Sequence, residues 1–282
     1  MTAARGRWRR LWLGLQTVSG FRTRGYFAPS AAAVHADPEA CRSPVLEARF
    51  AARSDAMRTW LARMAPYAAA LRSIGEGSPP APRWSQDWFP RLDAAMAYTI
   101  VRTLRPRRIV EVGSGHSTRF YATAIADEGL AAELLSIDPA PRAALAGVPG
   151  LRAMAMPVQR AGPEPFRALA AGDILSIDSS HILMPGSDVD FLLNAVLPVL
   201  PPGVLVHFHD IFLPDAYPAA WSWRGYNEQS AVALLVQQAG WGIEFASHYA
   251  VTRLGDAVRD SAAGALPLLP GALESSLWLT ST

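Results

Sequence analysis

With 282 residues, half of them hydrophobic and 18% charged, the chain is long enough to bury a full core and too apolar to be disordered. A net charge of +2 is too small for a surface that holds nucleic acid by charge, so no nucleic-acid partner is expected. All 26 cationic side chains are arginine, which excludes Schiff-base lysines, pyridoxal phosphate chemistry and the P-loop lysine; a single cysteine, Cys41, excludes a disulfide framework or a cysteine-based zinc cluster. No stretch has the roughly 20 apolar residues that span a bilayer, and Leu11 to Leu15 is too short for a secretory leader, so the expected location is cytoplasmic.

In chain order, the first segment is basic. Arg5, Arg7, Arg9, Arg10, Arg22 and Arg24 all precede the first acid, Asp37, and Trp8, Leu11, Trp12, Leu13 and Phe21 are interleaved with them. This reads as a frayed or packed extension, with peripheral contact to an anionic membrane through residues 1–24 as the alternative. From Pro44 to Ile74 apolar residues recur at helical spacing, and Gly75 to Pro82 breaks the pattern as a linker. The division is therefore an extension over residues 1–82 and a main domain over 83–282.

A helix is expected from Pro90 to Leu104, stopping at Pro106. Seven strands follow, at Arg108 to Val112, Leu134 to Ile137, Leu151 to Met156, Ile174 to Ile177, Val204 to Phe208, Gly242 to Ser247 and Ser276 to Leu279. Helices separate the first five, beginning near Thr118, Pro165, Ser187 (a capping box with Asp190) and Asn227. Alternating short apolar strands and helices predict an α/β fold with a mostly parallel sheet covered on both faces. The last two strands lack a strong helix between them and are expected to pair antiparallel at an edge.

Function concentrates at one sheet edge. EVGSGHST, from Glu111 to Thr118, joins a strand to a helix through a glycine turn, where backbone N–H groups face a ligand with no Cβ in the way. Acids follow other strands: Asp138, Asp178 and Asp210. Ligands in open α/β sheets bind beyond such strand ends, and Asp138 stands about 25 residues after the loop, the distance at which a βαβ unit returns an acid to a ribose. Thr118 occupies the place of the third glycine of a dinucleotide fingerprint, and Glu111 repels phosphates but suits a cationic ligand. An NAD-dependent oxidoreductase therefore stays as an alternative, as does a non-catalytic binding module.

The loop, the HisAspIle element after the fifth strand and the run from Asp173 to Pro214 together resemble the class I S-adenosylmethionine-dependent methyltransferases, most closely a bacterial family with an EVGSGHST-type first motif. The resemblance covers about Trp84 to the C-terminus. It implies a Rossmann-like fold of seven strands with an antiparallel last strand, S-adenosylmethionine as cofactor, and methyl transfer to a small-molecule or glycan- or lipid-linked acceptor, at oxygen. It also implies that Glu111, Gly113, Gly115 and Ser117 meet the methionine part of the cofactor, that Asp138 holds the ribose, that Pro157 to Gln159 border the adenine, and that Asp178 faces the reacting centre.

A hydroxyl acceptor needs a base. His209 is the first candidate and His181 the second, beside Asp210, whereas His207 is read as a core histidine. No metal set is assigned. The lesser alternative is a divalent ion on Asp178 and Asp210 with His209, by likeness to catechol-type methyltransferases, although Ile211 stands where those carry an asparagine. Trp84, Trp88, Phe89, Tyr217, Trp221, Trp223 and Tyr226 either stack on an acceptor or staple loops; Arg224 pairs with an anionic acceptor or with Glu228.

Overall fold

The computed structural model describes residues 3–25, 27, 33, 35, 37, 43–75, 77–238 and 240–281; Cys41 lies outside them. Helix α1 (Ala3–Val18) is followed by α2 (Pro44–Ala51), α3 (Ser54–Ala62), α4 (Ala68–Ser73) and α5 (Arg91–Leu104). Ser43 caps α2 by accepting from the Leu46 N–H, and Arg105 ends α5 in a left-handed conformation one residue before Pro106. Phe50, Met57, Leu61, Met64 and Leu71 are buried in the same core cluster as the strands, so the residues from Pro44 onward belong to the same packed body.

The sheet then alternates with helices: β1 (Arg108–Val112), α6 (His116–Asp127), β2 (Glu133–Ile137), β3 (Leu151–Met154), the single turns α7 (Val158–Ala161) and α8 (Glu164–Arg167), and β4 (Ile174–Ile177). Next come α9 (Asp188–Phe191), β5 (Leu205–Phe208), α10 (Glu228–Gln237) and β6 (Trp241–Ala246), then α11 (Ser247–Arg253), α12 (Gly255–Asp260) and β7 (Leu277–Ser281). Ser187 caps α9 as expected, and the coil continues through a π turn and a 3₁₀ turn to Val199.

Strand order is β3-β2-β1-β4-β5-β7-β6, with β1 to β5 parallel and β7 antiparallel to both neighbours. The last two strands pair antiparallel at an edge as expected, with β7 inserted between β5 and β6 and β6 outermost. The connection between them, expected to lack a strong helix, holds two short ones, α11 and α12, whose residues SHYAVTR and GDAVRD carry no long apolar run. β7 is apolar because it is interior, and Trp278 is fully buried and stacked on His207 at 4.4 Å. A dinucleotide-binding sheet has a parallel strand at the sixth position, so this insertion separates the two folds.

Candidate active site

The β1 loop is built around a close approach. Gly113 adopts φ +77°, and a Cβ there would lie 1.9 Å from the carbonyl oxygen of Asp178, so no other residue lets β1 and β4 come together at this point. The Asp178 N–H donates to Val112 O at 2.8 Å, locking the two strand ends. Ser114 then donates to Asp138 Oδ2 through both its backbone N–H (2.7 Å) and its hydroxyl (3.2 Å), and the Ala140 N–H donates to Asp138 Oδ1 at 2.7 Å. Gly113, Ser114, Asp138, Pro139, Pro157 to Gln159 and Asp178 line a single cavity of about 440 Å³.

Three residues expected to meet the ligand do not line that cavity. Glu111 is fully buried, and its carboxyl accepts from the hydroxyls of Ser117, at 2.5 Å, and of Thr118. The Thr118 hydroxyl also accepts the Gly115 N–H at 3.0 Å. Thr118, in the first turn of α6, thus reaches back to the cap residue Gly115, a role for a threonine where a dinucleotide loop has glycine. Burial, the largest influence, raises the Glu111 carboxyl to about 8; the two hydroxyls oppose the rise, and Asp178 and Asp138 add to it. Glu111, Gly115 and Ser117 are not among the residues lining the cavity; they brace the loop that is.

Beyond Asp178 lies a cluster of imidazoles and carboxylates. His181 Nδ1 is 2.8 Å from Glu228 Oε2, and its Nε2 is 3.2 Å from Asp178 Oδ1 and 3.4 Å from Asp210 Oδ2. His209 Nε2 faces Asp93 Oδ2 at 3.3 Å, with Nδ1 3.5 Å from Asp210 and 3.7 Å from Asp178. Burial would depress both imidazoles, but the surrounding acids outweigh it and hold each well above the ordinary histidine value. Burial works to raise Asp178, yet His181 and His209 keep it well below the usual carboxylate range. The surrounding acids thus favour the protonated form of both rings.

His207 is a core histidine, as read. Ser176 Oγ lies 2.9 Å from its Nδ1 and Ser276 Oγ 2.8 Å from its Nε2, and burial pushes it down to about 3.

Backbone strain marks the same place. Of three non-glycine residues with positive φ among the described residues, two are His181 (61°) and Asp210 (57°). Such conformations cost on the order of 1 to 3 kcal/mol each and persist where surrounding structure enforces them. The His181 carbonyl accepts the N–H groups of Asn227 and Glu228, which anchors this turn to the start of α10.

Asp178, His181 and Asp210 also offer three ligand atoms within 4.8 Å of one another. Glu228 holds the far nitrogen of His181, the arrangement that orients a metal-bound imidazole. The donor set fits a divalent ion that accepts nitrogen and oxygen together. The nitrogen of this set is His181, whereas the sequence reading placed His209 there.

Two participants escaped the sequence reading. Asp93 is fully buried and accepts from the N–H groups of Ser275 and Ser276 at 2.9 to 3.2 Å. Glu228 also accepts the Ser179 hydroxyl at 2.9 Å. An acid inside the apolar stretch Leu92 to Val101 was the available signal for Asp93; Glu228 resembles any first-turn acid. The aromatics act chiefly as staples. Phe89 packs on Phe120 and His209, and Phe212 gathers Tyr217 and Trp221, while Tyr226 lies 4.5 Å from His181. Arg224 stacks on Trp221 at 3.9 Å and reaches Asp210 at 3.7 Å rather than Glu228.

Residues 110–211, which hold the β1 loop, Asp138 and the Asp178–His181–Asp210 cluster, match the family described as Methyltransferase domain. Over that stretch the chain is similar to a methyltransferase domain. Its strand order, with β7 antiparallel between β5 and β6, is not that of a dehydrogenase sheet. No curated protein matches the chain. Solved structures similar to the methyltransferase include a Podospora anserina methyltransferase bound to S-adenosylhomocysteine, at 16% identity over 78% of this chain and 88% of that one, with a TM-score of 0.44. An O-methyltransferase of Streptomyces achromogenes involved in tomaymycin synthesis, in complex with S-adenosylmethionine, gives 16%, 78%, 89% and 0.42. An O-methyltransferase of Bacillus cereus in complex with S-adenosylhomocysteine gives 11%, 79%, 90% and 0.39.

Asp138 accepts three hydrogen bonds within the chain, and a carboxylate offers about four lone-pair sites, so it can take one more donor.

Proposed function

We propose that the methyltransferase moves a methyl group from S-adenosylmethionine to a hydroxyl oxygen of a small-molecule or glycan- or lipid-linked acceptor. One observation carries this: Asp178 both lines the cofactor cavity and belongs to the imidazole–carboxylate cluster, so donor and acceptor chemistry meet at one side chain. S-adenosylmethionine supplies an electrophilic methyl; the acceptor oxygen forms the new C–O bond as the C–S bond breaks and its electron pair returns to sulfur.

The chain's own residues position the acceptor and take its proton. Asp93, Asp178, Asp210 and Glu228 bring four formal negative charges, against three positive charges on two imidazoliums and Arg224. One negative charge remains over, and we assign the acceptor's proton to Asp210, whose carboxylate lies 3.4 Å from His181 Nε2 and 3.5 Å from His209 Nδ1. His181 and His209 then act as positioning cations instead of bases. Holding the two reactants in line accounts for much of the rate.

A second reading rests on the three ligand atoms within 4.8 Å. In it, Asp178, His181 and Asp210 would hold a divalent ion, which would lower the pKa of an acceptor hydroxyl. Calorimetric titration with Mn²⁺ separates the two: saturable binding lost in His181→Ala supports the ion, and its absence supports Asp210 as the proton acceptor. The whole proposal is tested by an acceptor screen with methyl-labelled S-adenosylmethionine on a metabolite extract. Label transferred to hydroxyl oxygen is the expected result, and label on nitrogen or carbon alone contradicts it.

A further inference from the structure

Helix α1 shows its apolar face to solvent. Trp8, Leu11, Trp12, Leu15 and Val18 follow one another at spacings of one helical face, and Phe21 comes just after the helix. Trp8 is 72% exposed, Trp12 64% and Val18 76%. The other side of the helix is what packs on the protein. Gly6 is buried so closely on Trp223 that a Cβ would come within 2.8 Å of its ring, Gly14 lies against Phe27, and Arg10 Nη1 donates to Ser222 O at 3.4 Å. Ordinary surface helices bury their apolar stripe and expose their polar one. Here a tryptophan-rich stripe is turned outward by contacts that fix the helix from behind.

The charge on the segment selects what covers the stripe. Arg5, Arg7, Arg9, Arg10, Arg22 and Arg24 flank it in sequence, with no acid before Asp37. A second copy packed on the same face would bring two such arginine sets together, a like-charge interface. A bilayer with anionic headgroups offers apolar depth for the indoles and phosphate for the guanidinium groups. No described helix is long and apolar enough to cross a membrane, and the 16 residues of α1 suit lying in the interface plane.

We infer that α1 docks the methyltransferase on anionic membrane surfaces, with Trp8, Leu11, Trp12, Leu15, Val18 and Phe21 in the headgroup–acyl boundary. The contact beneath ties this surface to the acceptor side. Trp223 touches Gly6, and its neighbour Arg224 reaches Asp210, so one short 3₁₀ segment, Ala219–Arg224, separates lipid from the imidazole–carboxylate cluster.

The test is co-sedimentation of the full chain with vesicles of phosphatidylcholine alone or with about 30% phosphatidylglycerol; partition should be at least about tenfold higher on the anionic vesicles and fall with salt. Trp8→Ser with Trp12→Ser should abolish partition while leaving the melting temperature and its increase with S-adenosylhomocysteine unchanged, since both side chains are exposed. No partition on anionic vesicles, or partition that survives the double substitution, overturns the inference. So does a concentration-dependent dimer in sedimentation velocity that the double substitution dissolves, which would assign the face to a second copy.

Discussion

Asp178 stands between two regions that solve different problems. On its β1 side, the groove is made of backbone: a glycine without Cβ at a strand crossing, N–H groups turned onto Asp138, and a threonine whose hydroxyl accepts the N–H of the helix-cap glycine. On its β5 side the cluster is made of side-chain charge, with two imidazoles held between four acids on residues with strained backbones. The first region is shaped for shape and neutral hydrogen bonding. The second stores electrostatic potential where protons are exchanged. The difference teaches that binding and chemistry can be damaged separately in this molecule, and substitutions on each side should show it.

The largest effect belongs to the charged side. Asp210→Asn removes the formal surplus of negative charge, and methyl transfer should fall by about 10²- to 10⁴-fold, the range for a lost acid–base group, with little change in S-adenosylhomocysteine affinity. Steady-state rates alongside calorimetry read the split, and an equal loss in both would merge the two regions. Next is Gly113→Ala. A Cβ driven into the Asp178 carbonyl, at positive φ, should destabilise the fold by at least about 2 kcal/mol, visible as a lowered melting temperature. An unchanged melt would mean that β1 and β4 separate freely.

Asp138→Ala takes a carboxylate from the groove wall and should weaken S-adenosylhomocysteine by about 10- to 100-fold, the worth of hydrogen bonds to a charged group. The smallest effect per increment is a pH slope. Glu111 titrates at about 8 in the fold, above its ordinary 4.5, so the fold favours the protonated form. Its contribution to stability is greatest below about pH 4.5 and is lost as pH rises toward 8, by at most about 1.4 kcal/mol per pH unit. Denaturant melts of Glu111→Gln between those limits should lack that slope; an identical slope would place its source elsewhere.

How far the sequence could be read follows the same division. β1, β2, β4, β5 and the loop were legible because short apolar runs that lead to Glu111, Asp138, Asp178 and Asp210 state both the strand and the edge it points to. Cavity residues Gly113, Asp138 and Pro157 to Gln159 could be named for the same reason, since each lies within a few residues of a strand end. The bracing of Glu111 by Ser117 and Thr118 was not legible, because an acid before a glycine loop looks alike whether it faces the groove or holds the helix behind it.

The cluster was harder. Asp93 meets His209 across 116 residues and Glu228 meets His181 across 47, and no local pattern encodes such pairings. The acids that raise His181 and His209 come in part from those distant positions, so their electrostatics could not be read from neighbouring residues. The insertion of β7 between β5 and β6 was hidden likewise, because strand order is a property of the packed sheet.

The account rests on the separation of groove from cluster, and calorimetry of S-adenosylhomocysteine with two variants tests it most directly. Asp138→Ala should lose at least about tenfold in affinity, and Asp210→Asn should bind like the unaltered chain. Equal affinity in Asp138→Ala, or a matching loss in Asp210→Asn, would contradict it.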